Sequence, residues 1–320
     1  GHYGTHVKQY LQMVHESTKF TFVEVDNFDG PGSSLLYSIG EARKYLQQPF
    51  VFHACDTLSK GHPTTIDKNW VTAFKVKAAD QYRTLKLDSN LKFAGFNEKG
   101  EMSFDYAYPG VCGINSYSEF WDAFDEIVKS GDDSQLSDCS VINKLAANQA
   151  FDIVELEEWC DIGNASELEK TRSIYKEEYD VLDKPNENIY FYDGSVVKFF
   201  HDEDLVEKRV KRSLILKGLV PAVTSSSSNF FKYSFTSGDL FSKTVNPEKM
   251  RRFLAWLSTN MWSIDSSKDI TGLCSNFYFE KSNSRIQSFL NGSEDSSCVI
   301  NGQLVPPIEE MLSQIDDKWL

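Results

Sequence analysis

The sequence predicts an α/β fold, a mixed sheet with helices on its faces, followed by an α+β lobe that carries further helices. Three observations predict it. Over residues 1–180 short apolar runs of strand length alternate with stretches whose apolar residues recur at helical spacing, the texture of a sheet covered by helices. At 171–188, TRSIYKEEYDVLDKPNEN, a charged stretch runs into Pro185 and asparagines, which marks a domain boundary. Beyond it the texture resets to a hairpin, a strand and then mostly helix, so residues 1–180 and 185–320 are expected as two domains, in keeping with a chain of 320 residues.

The elements follow in order. FTFVEV at 20–25 reads as a strand, SSLLYSIGEARKYL at 33–46 as an amphipathic helix, and FVFHA at 50–54 and WVTAFKV at 70–76 as strands. In EEWCDIGNASELEKTR at 157–172, apolar Trp159 and Cys160 lead to Asp161; Gly163 and Asn164 then turn into a helix with Ser166 as its expected cap. IYFYDGSVVKFF at 189–200 is a hairpin turning at Asp193-Gly194, the strongest short-range hairpin signal. A helix of mixed charge follows at 202–217, the serines at 225–228 read as a short flexible turn, NFFKYSF at 229–235 is a strand, and helical stretches begin at 246.

Composition excludes several classes. A net charge of −14 argues against nucleic acid as a partner, because binding it relies on clustered Lys and Arg. No stretch approaches the roughly 18 apolar residues of a membrane span, so a soluble chain is expected. The six cysteines, at 55, 112, 139, 160, 274 and 298, show no CxxC or zinc spacing, and a reducing cytoplasm is the simplest location. The sequons at Asn164 and Asn291 carry no weight without a signal peptide. Gly1 opens in mid-pattern and QIDDKWL stops directly after a helical stretch, so a fragment trimmed at both ends is expected.

Chemistry centres on two acids. Asp56, in QPFVFHACDTLSKG, follows an apolar strand, and the end of a parallel strand in an open α/β sheet faces the ligand crevice; a turn or capping acid is the other reading. Asp161 has a similar setting a hundred residues on, and two acids brought to one crevice can share a divalent cation with the phosphates of a nucleotide.

On these residues the first half resembles the sugar-phosphate nucleotidyltransferases, including cytidylyltransferases for small phosphorylated alcohols. DGPGSSLL at 29–36 looks like the family's glycine loop before a helix, Glu98-Lys99 in GFNEKGE resembles its acceptor-facing pair, and the late W-x-D-x-G-N supplies Asp161. The resemblance implies a Rossmann-like mixed-sheet domain. It further implies Asp56 and Asp161 as ligands of Mg²⁺, Gly30, Gly32 and Ser33 at the nucleotide, and Glu98, Lys99 and Asn164 at the substrate. Glycines at 30 and 32 would let backbone N–H groups approach a base or phosphate, or would merely turn the chain; Glu98-Lys99 could equally be a solvated hairpin. The family's opening strand and its loop of Gly, Arg and Lys do not precede Gly1.

The second half is similar to the N-terminal lobe of the choline kinase and aminoglycoside phosphotransferase family, through SVVKFF, a charged helix, NFFKYSF and TSGDLFS. That resemblance implies ATP at this lobe, with Lys198 at its phosphates, Glu207 as the partner of Lys198, and 233–240 as the hinge. By alternation alone Lys198 could point to solvent. No histidine precedes a Gly-Asp pair, so the kinase catalytic loop is missing from this stretch of sequence. The whole resembles bifunctional surface-polysaccharide proteins. The expected activity is transfer of NMP from an NTP, CTP or UTP, to a phosphorylated sugar or small alcohol. The rival readings are a kinase whose first half is structural and a non-catalytic nucleotide-binding scaffold.

Overall fold

The structure, a computed structural model, describes residues 1–76, 82–97, 106–131, 137–175, 184–263, 269–292, 299–307 and 310. The chain divides into two compact units, Gly1–Thr236 and Ser237–Leu320. The boundary expected at 180–185 falls within the first of these, largely on residues outside the described set.

In chain order the first unit begins with helices α1 (Gly4–Val14) and α2 (Leu35–Glu41), then β1 (Phe50–His53), β2 (Thr57–Lys60), β3 (Trp70–Lys75), β4 (Leu85–Leu87), β5 (Phe93–Phe96), β6 (Tyr106–Ala107) and β7 (Val111–Ile114). It continues with α3 (Tyr117–Ser130), α4 (Asp138–Ala146), β8 (Asp152–Glu155), β9 (Glu158–Asp161) and α5 (Ala165–Ile174). A five-stranded mixed sheet runs β1-β7-β3-β6, with β8 parallel beside β3 and the other pairs antiparallel. Val71, Thr72 and Ala73 of β3 are fully buried, as a strand covered on both faces requires, and this is why WVTAF reads as a continuous run without polar alternation. Leu36 and Ile39 of α2, Phe120 and Phe124 of α3 and Ile142 of α4 fill the same core. Outside the sheet, β2 pairs antiparallel with β9 and β4 with β5.

The strand expected at 20–25 does not form; residues 15–33 hold no helix or strand. Its aromatic rings are spent on α1 instead, with Phe20 against His15 and Phe22 under the Lys8 ammonium.

A second sheet in this unit comprises β10 (Glu187–Tyr192), β11 (Ser195–Phe200), β12 (Val223–Ser226) and β13 (Phe230–Ser234), in the order β10-β11-β13-β12, with α6 (Glu203–Ile215) between β11 and β12. Its hairpin turns at Asp193 and Gly194 with φ of 44° and 68°, the two left-handed positions that this turn demands. Met13 of α1 packs on Val197 and Phe230, while Val206 of α6 packs on Phe200 and Phe231, so the two helices cover opposite faces of the sheet. The first part of the serine run is strand rather than turn, since Ser225 and Ser226 pair with Lys232 and Phe231. An edge strand tolerates such short polar side chains because it has a neighbour on one side only.

The second unit is helical over Phe241–Thr244, Pro247–Asn260, Thr271–Ser275 and Lys281–Gly292, and carries a short ribbon, Val299–Ile300 with Gln303–Leu304. No helix among the described residues is long and apolar enough to cross a membrane.

Candidate functional site

Asp56 does not end a parallel strand: β1 is antiparallel to β7, and Asp56 lies in the link from β1 to β2. What brings it to Asp161 is the β2–β9 ladder, in which Thr57 faces Asp161. The ladder is extended by the Ile162 N–H, which donates to the Asp56 carbonyl at 2.9 Å. Adjacent positions on paired strands are thereby locked together although they are a hundred residues apart in sequence.

The two carboxylates converge on Gly163. A Cβ built there would lie 3.1 Å from Asp161 Oδ1 and 3.1 Å from Asp56 Oδ2, so the two oxygens are at most twice that distance apart. The Gly163 N–H donates to Asp161 Oδ1 at 2.8 Å and fixes that side chain. The Tyr82 hydroxyl lies close enough to Asp161 to feel its charge. Burial first, then the Asp161 charge, raises the Tyr82 pKa and keeps the phenol protonated. Behind them Trp159 sits edge-on to Tyr82 and Phe74, at centroid distances of 4.9 and 5.7 Å.

Asp56, Asp161, Gly163, Tyr82 and Trp159 line a cleft of about 430 Å³, together with Thr57, Arg83, Tyr108, Asp138 and Asn164. Asn164 rather than Ser166 caps α5, its Oδ1 accepting the Glu167 N–H at 3.0 Å; a β-region residue before the helix has its oxygen placed for the third N–H, whereas Ser166 is already inside the helix. Asp138, the first residue of α4, is only 8% exposed and accepts a hydrogen bond from the Tyr108 hydroxyl at 3.1 Å. Burial raises its pKa, while hydrogen bonds from Cys139 and Tyr108 and the charge of Arg83 work in the opposite direction. Neither Arg83 nor Asp138 stood out in the sequence. Arg83 lies in an extended segment without a motif, and Asp138 reads as an ordinary first-turn helix acid.

Other expected site residues are not assembled here. Gly30 and Gly32 have left-handed φ of 84° and 83°, but they and Ser33 do not line the cleft. Their polar groups serve their own turn: the Gly30 N–H donates to Asp29 Oδ1 at 2.9 Å, and Ser33 donates its N–H and Oγ–H to the Gly30 carbonyl at 3.1 and 2.7 Å. Glu98 and Lys99 lie outside the described residues.

The expected Lys198–Glu207 pair is not formed. Glu207 is exposed on α6 and pairs with Lys211 one turn on, the preferred i,i+4 geometry. Lys198 stands on the α6 face of β11 beside Tyr233, 5.8 Å from the ring centroid, and burial followed by the Arg209 charge lowers its pKa. The acid that counteracts this is Glu187 of β10, itself paired with Lys184.

No family model and no curated protein sequence matches the chain. Among solved structures it is similar to the CTP:phosphocholine cytidylyltransferase from Streptococcus pneumoniae, with a TM-score of 0.41 and 12% identity over 52% of this chain and 72% of that one. It is also similar to UTP-bound UGPase from Acinetobacter baumannii, with a TM-score of 0.35 and 14% identity over 44% and 55%. A third such structure is the nucleoside-diphosphate-sugar pyrophosphorylase from Vibrio cholerae RC9, with a TM-score of 0.34 and 16% identity over 42% and 61%. The chain thus spans less than two thirds of the Acinetobacter and Vibrio proteins, and likeness at this level assigns no activity to it.

Proposed function

We propose that the first unit is a nucleotidyltransferase that carries NMP from an NTP, CTP or UTP, to a phosphorylated sugar or small alcohol. The observation that supports this reading is the convergence of Asp56 and Asp161 on the backbone at Gly163. Among the described residues no group of three or more His, Cys, Asp or Glu side chains could hold a metal. Two carboxylates alone suit Mg²⁺, which takes one or two protein carboxylates and completes its shell with water and phosphate oxygens. Asp56 and Asp161 would hold it, and when bound it neutralises charge on the phosphates.

The reaction asks little proton chemistry of the protein. An acceptor phosphate oxygen forms a bond to the α-phosphorus as the bond to pyrophosphate breaks, and a phosphate monoester is already ionised at neutral pH. No general base is required. The chain's part is to place charge: the Gly163 N–H holds Asp161 in one orientation, and the β2–β9 ladder holds Asp56 beside it. Trp159, Tyr82 and Tyr108 give the cleft aromatic walls that reduce competition from water.

For the β10–β13 sheet no ATP site is proposed, because Glu207, the expected partner of Lys198, pairs with Lys211 instead. The test of the nucleotidyltransferase reading is pyrophosphate release by the full-length protein with each NTP, Mg²⁺ and a panel of phosphorylated acceptors. Asp161→Asn, which preserves shape and the hydrogen bond from Gly163, is expected to lower turnover at least 100-fold with an unchanged circular dichroism spectrum. Normal turnover in that variant removes the reading.

A further inference from the structure

A second cavity in the first unit, of about 640 Å³, lies between α1 and the β10–β13 sheet and shares no described residue with the acidic cleft. Its size falls within the roughly 300–1,000 Å³ of small-molecule sites. Among the described residues, hydrogen bonds tie α1 to the sheet only from Gln9 onward. Gln9 Oε1 accepts from Ser227 Oγ at 2.8 Å and from the Asn229 N–H at 3.2 Å, and the Lys232 ammonium donates to the Met13 carbonyl at 3.0 Å. Met13 itself packs on Val197 and Phe230. Tyr3 and His6, at the start of the helix, line the cavity instead.

The walls are aromatic. Strand register sets Tyr190, Phe199 and Phe230 on one face of the sheet, since Tyr190 pairs with Val197 and Phe199 with Phe230. The His6 ring meets Phe199 at 5.1 Å and His201 at 6.2 Å between centroids, Tyr10 meets Tyr190 at 5.0 Å, and Phe199 meets Phe230 at 5.0 Å. Interplanar angles in these pairs run from 47° to 77°, so the rings meet tilted or edge-on and do not spend their faces on stacking with one another. In a chain that is a quarter charged, none of the described lining residues is Asp, Glu, Lys or Arg. A phosphate or carboxylate therefore finds no cation here, and a primary ammonium finds no acid. Nor is the cavity purely apolar. The ring nitrogens of His6 and His201 have no hydrogen-bond partner among the described residues, and Asn186 and Asn188 add two amides. An alkyl chain would strip water from these groups and return no hydrogen bond.

We propose that this cavity binds an uncharged nitrogen heteroaromatic ring of nucleobase size, carried by a nucleoside without phosphates. Aromatic faces take the ring by stacking, which any base can use. Each neutral imidazole has one donor and one acceptor nitrogen, and amides have both, which matches the donors and acceptors along a base edge. A quaternary ammonium also seeks aromatic faces, but it would leave both imidazoles and both amides without partners. The proposal is independent of the nucleotidyltransferase reading, because it uses no residue of the acidic cleft.

The test is calorimetric titration of the full-length protein, without divalent ion, with adenosine, guanosine, cytidine and uridine. Tetramethylammonium and the 5′-monophosphate of the tightest nucleoside are the controls. At least one nucleoside is expected to bind one to one with a Kd below about 1 mM, and its monophosphate no more tightly. Tyr190→Leu, on the edge strand β10, should weaken that nucleoside about 5- to 100-fold, the range for removing one ring from a stacked base. His6→Phe and His201→Phe keep a ring but remove its nitrogens, and each should weaken binding about 2- to 10-fold. Should a variant fail to fold, photolysis of an azido derivative of the nucleoside with the unaltered protein should label peptides within 3–10 or 186–201. Four outcomes overturn the proposal: no nucleoside binding at about 1 mM, a monophosphate that binds tighter than its nucleoside, tetramethylammonium binding in place of every nucleoside, or nucleoside binding indifferent to all three substitutions. Label confined to other peptides does so as well. None of these results depends on turnover, so a nucleotidyltransferase reading defeated by an active Asp161→Asn is recognised separately.

Discussion

Replacing Gly163 by alanine tests the two-carboxylate site with the smallest possible change. Gly163 does not use a left-handed φ, so alanine costs the backbone little, and the effect must come from the added methyl. That methyl would stand 3.1 Å from an oxygen of each aspartate, where ordinary contact begins at 3.4 Å. Each carboxylate must therefore retreat by about 0.3 Å, or turn, and both must do so from the same point. A metal site tolerates about 0.2 Å in its ligand distances, and Mg²⁺ holds its oxygens near 2.0–2.1 Å. Displacing both protein ligands beyond that tolerance should cost about 10- to 100-fold in divalent-ion affinity, or roughly 1.4–2.8 kcal/mol. Folding should lose no more than about 1 kcal/mol, because the methyl projects toward an open cleft and not into the core. Mn²⁺ titration followed by electron paramagnetic resonance, with and without UTP, reads the affinity, and urea unfolding reads the stability. A folded Gly163→Ala protein with wild-type Mn²⁺ affinity would refute the argument that these two oxygens share an ion.

The remaining predictions concern buried groups near the cleft. Cys112 is fully enclosed and its pKa is pushed up to about 12 by burial and then by the Asp138 charge, and burial likewise raises Cys139. Iodoacetamide at pH 8 followed by mass spectrometry should modify exposed Cys55 and spare Cys112 and Cys139 until urea unfolds the chain; early labelling of either would contradict the packing. The raised folded-state pKa of Asp138 means that its contribution to stability is full below the unfolded value of about 3.9 and is lost as pH rises through the folded value. Asp138→Asn removes that loss, so its urea midpoint relative to wild type should improve between pH 4 and pH 7, and parallel curves at the two pH values would count against a buried ionising carboxyl.

How much of this was legible in the sequence follows from which interactions are local. The Asp193-Gly194 hairpin was, because two left-handed positions are a demand on the residues themselves, and the run at 70–76 was, because the burial of Trp70 to Ala73 writes itself into composition. FTFVEV failed for a physical reason. Strand propensity in an isolated run states only that the side chains suit a flat, half-buried surface, and the flank of α1 supplied one without a ladder. The serine run failed in the opposite sense, since its pairing with β13 is decided by a neighbour that composition does not display.

The site divides along the same line. Asp56 and Asp161 could be paired on their settings alone, each an acid after an apolar run and before a turn, yet the reason for their meeting differs from the one the pattern suggested. It is an antiparallel ribbon and not the end of a parallel strand that joins them. A ribbon of this kind transmits position rigidly, so the distance between the two acids depends on the register Thr57 to Asp161, and an insertion of one residue in either strand would turn one carboxylate to the opposite face. Arg83 and Asp138 were invisible because an arginine in an extended segment and an acid at a helix start are each unremarkable until the fold brings both to the wall of one cleft. The same reasoning explains Lys198 and Glu207, where sequence order matched a family pattern but α6 presents Arg209 to the lysine and leaves Glu207 to Lys211. Helix phase, which one residue changes by about 100°, decides which partner a strand lysine meets, and order along the chain does not encode it.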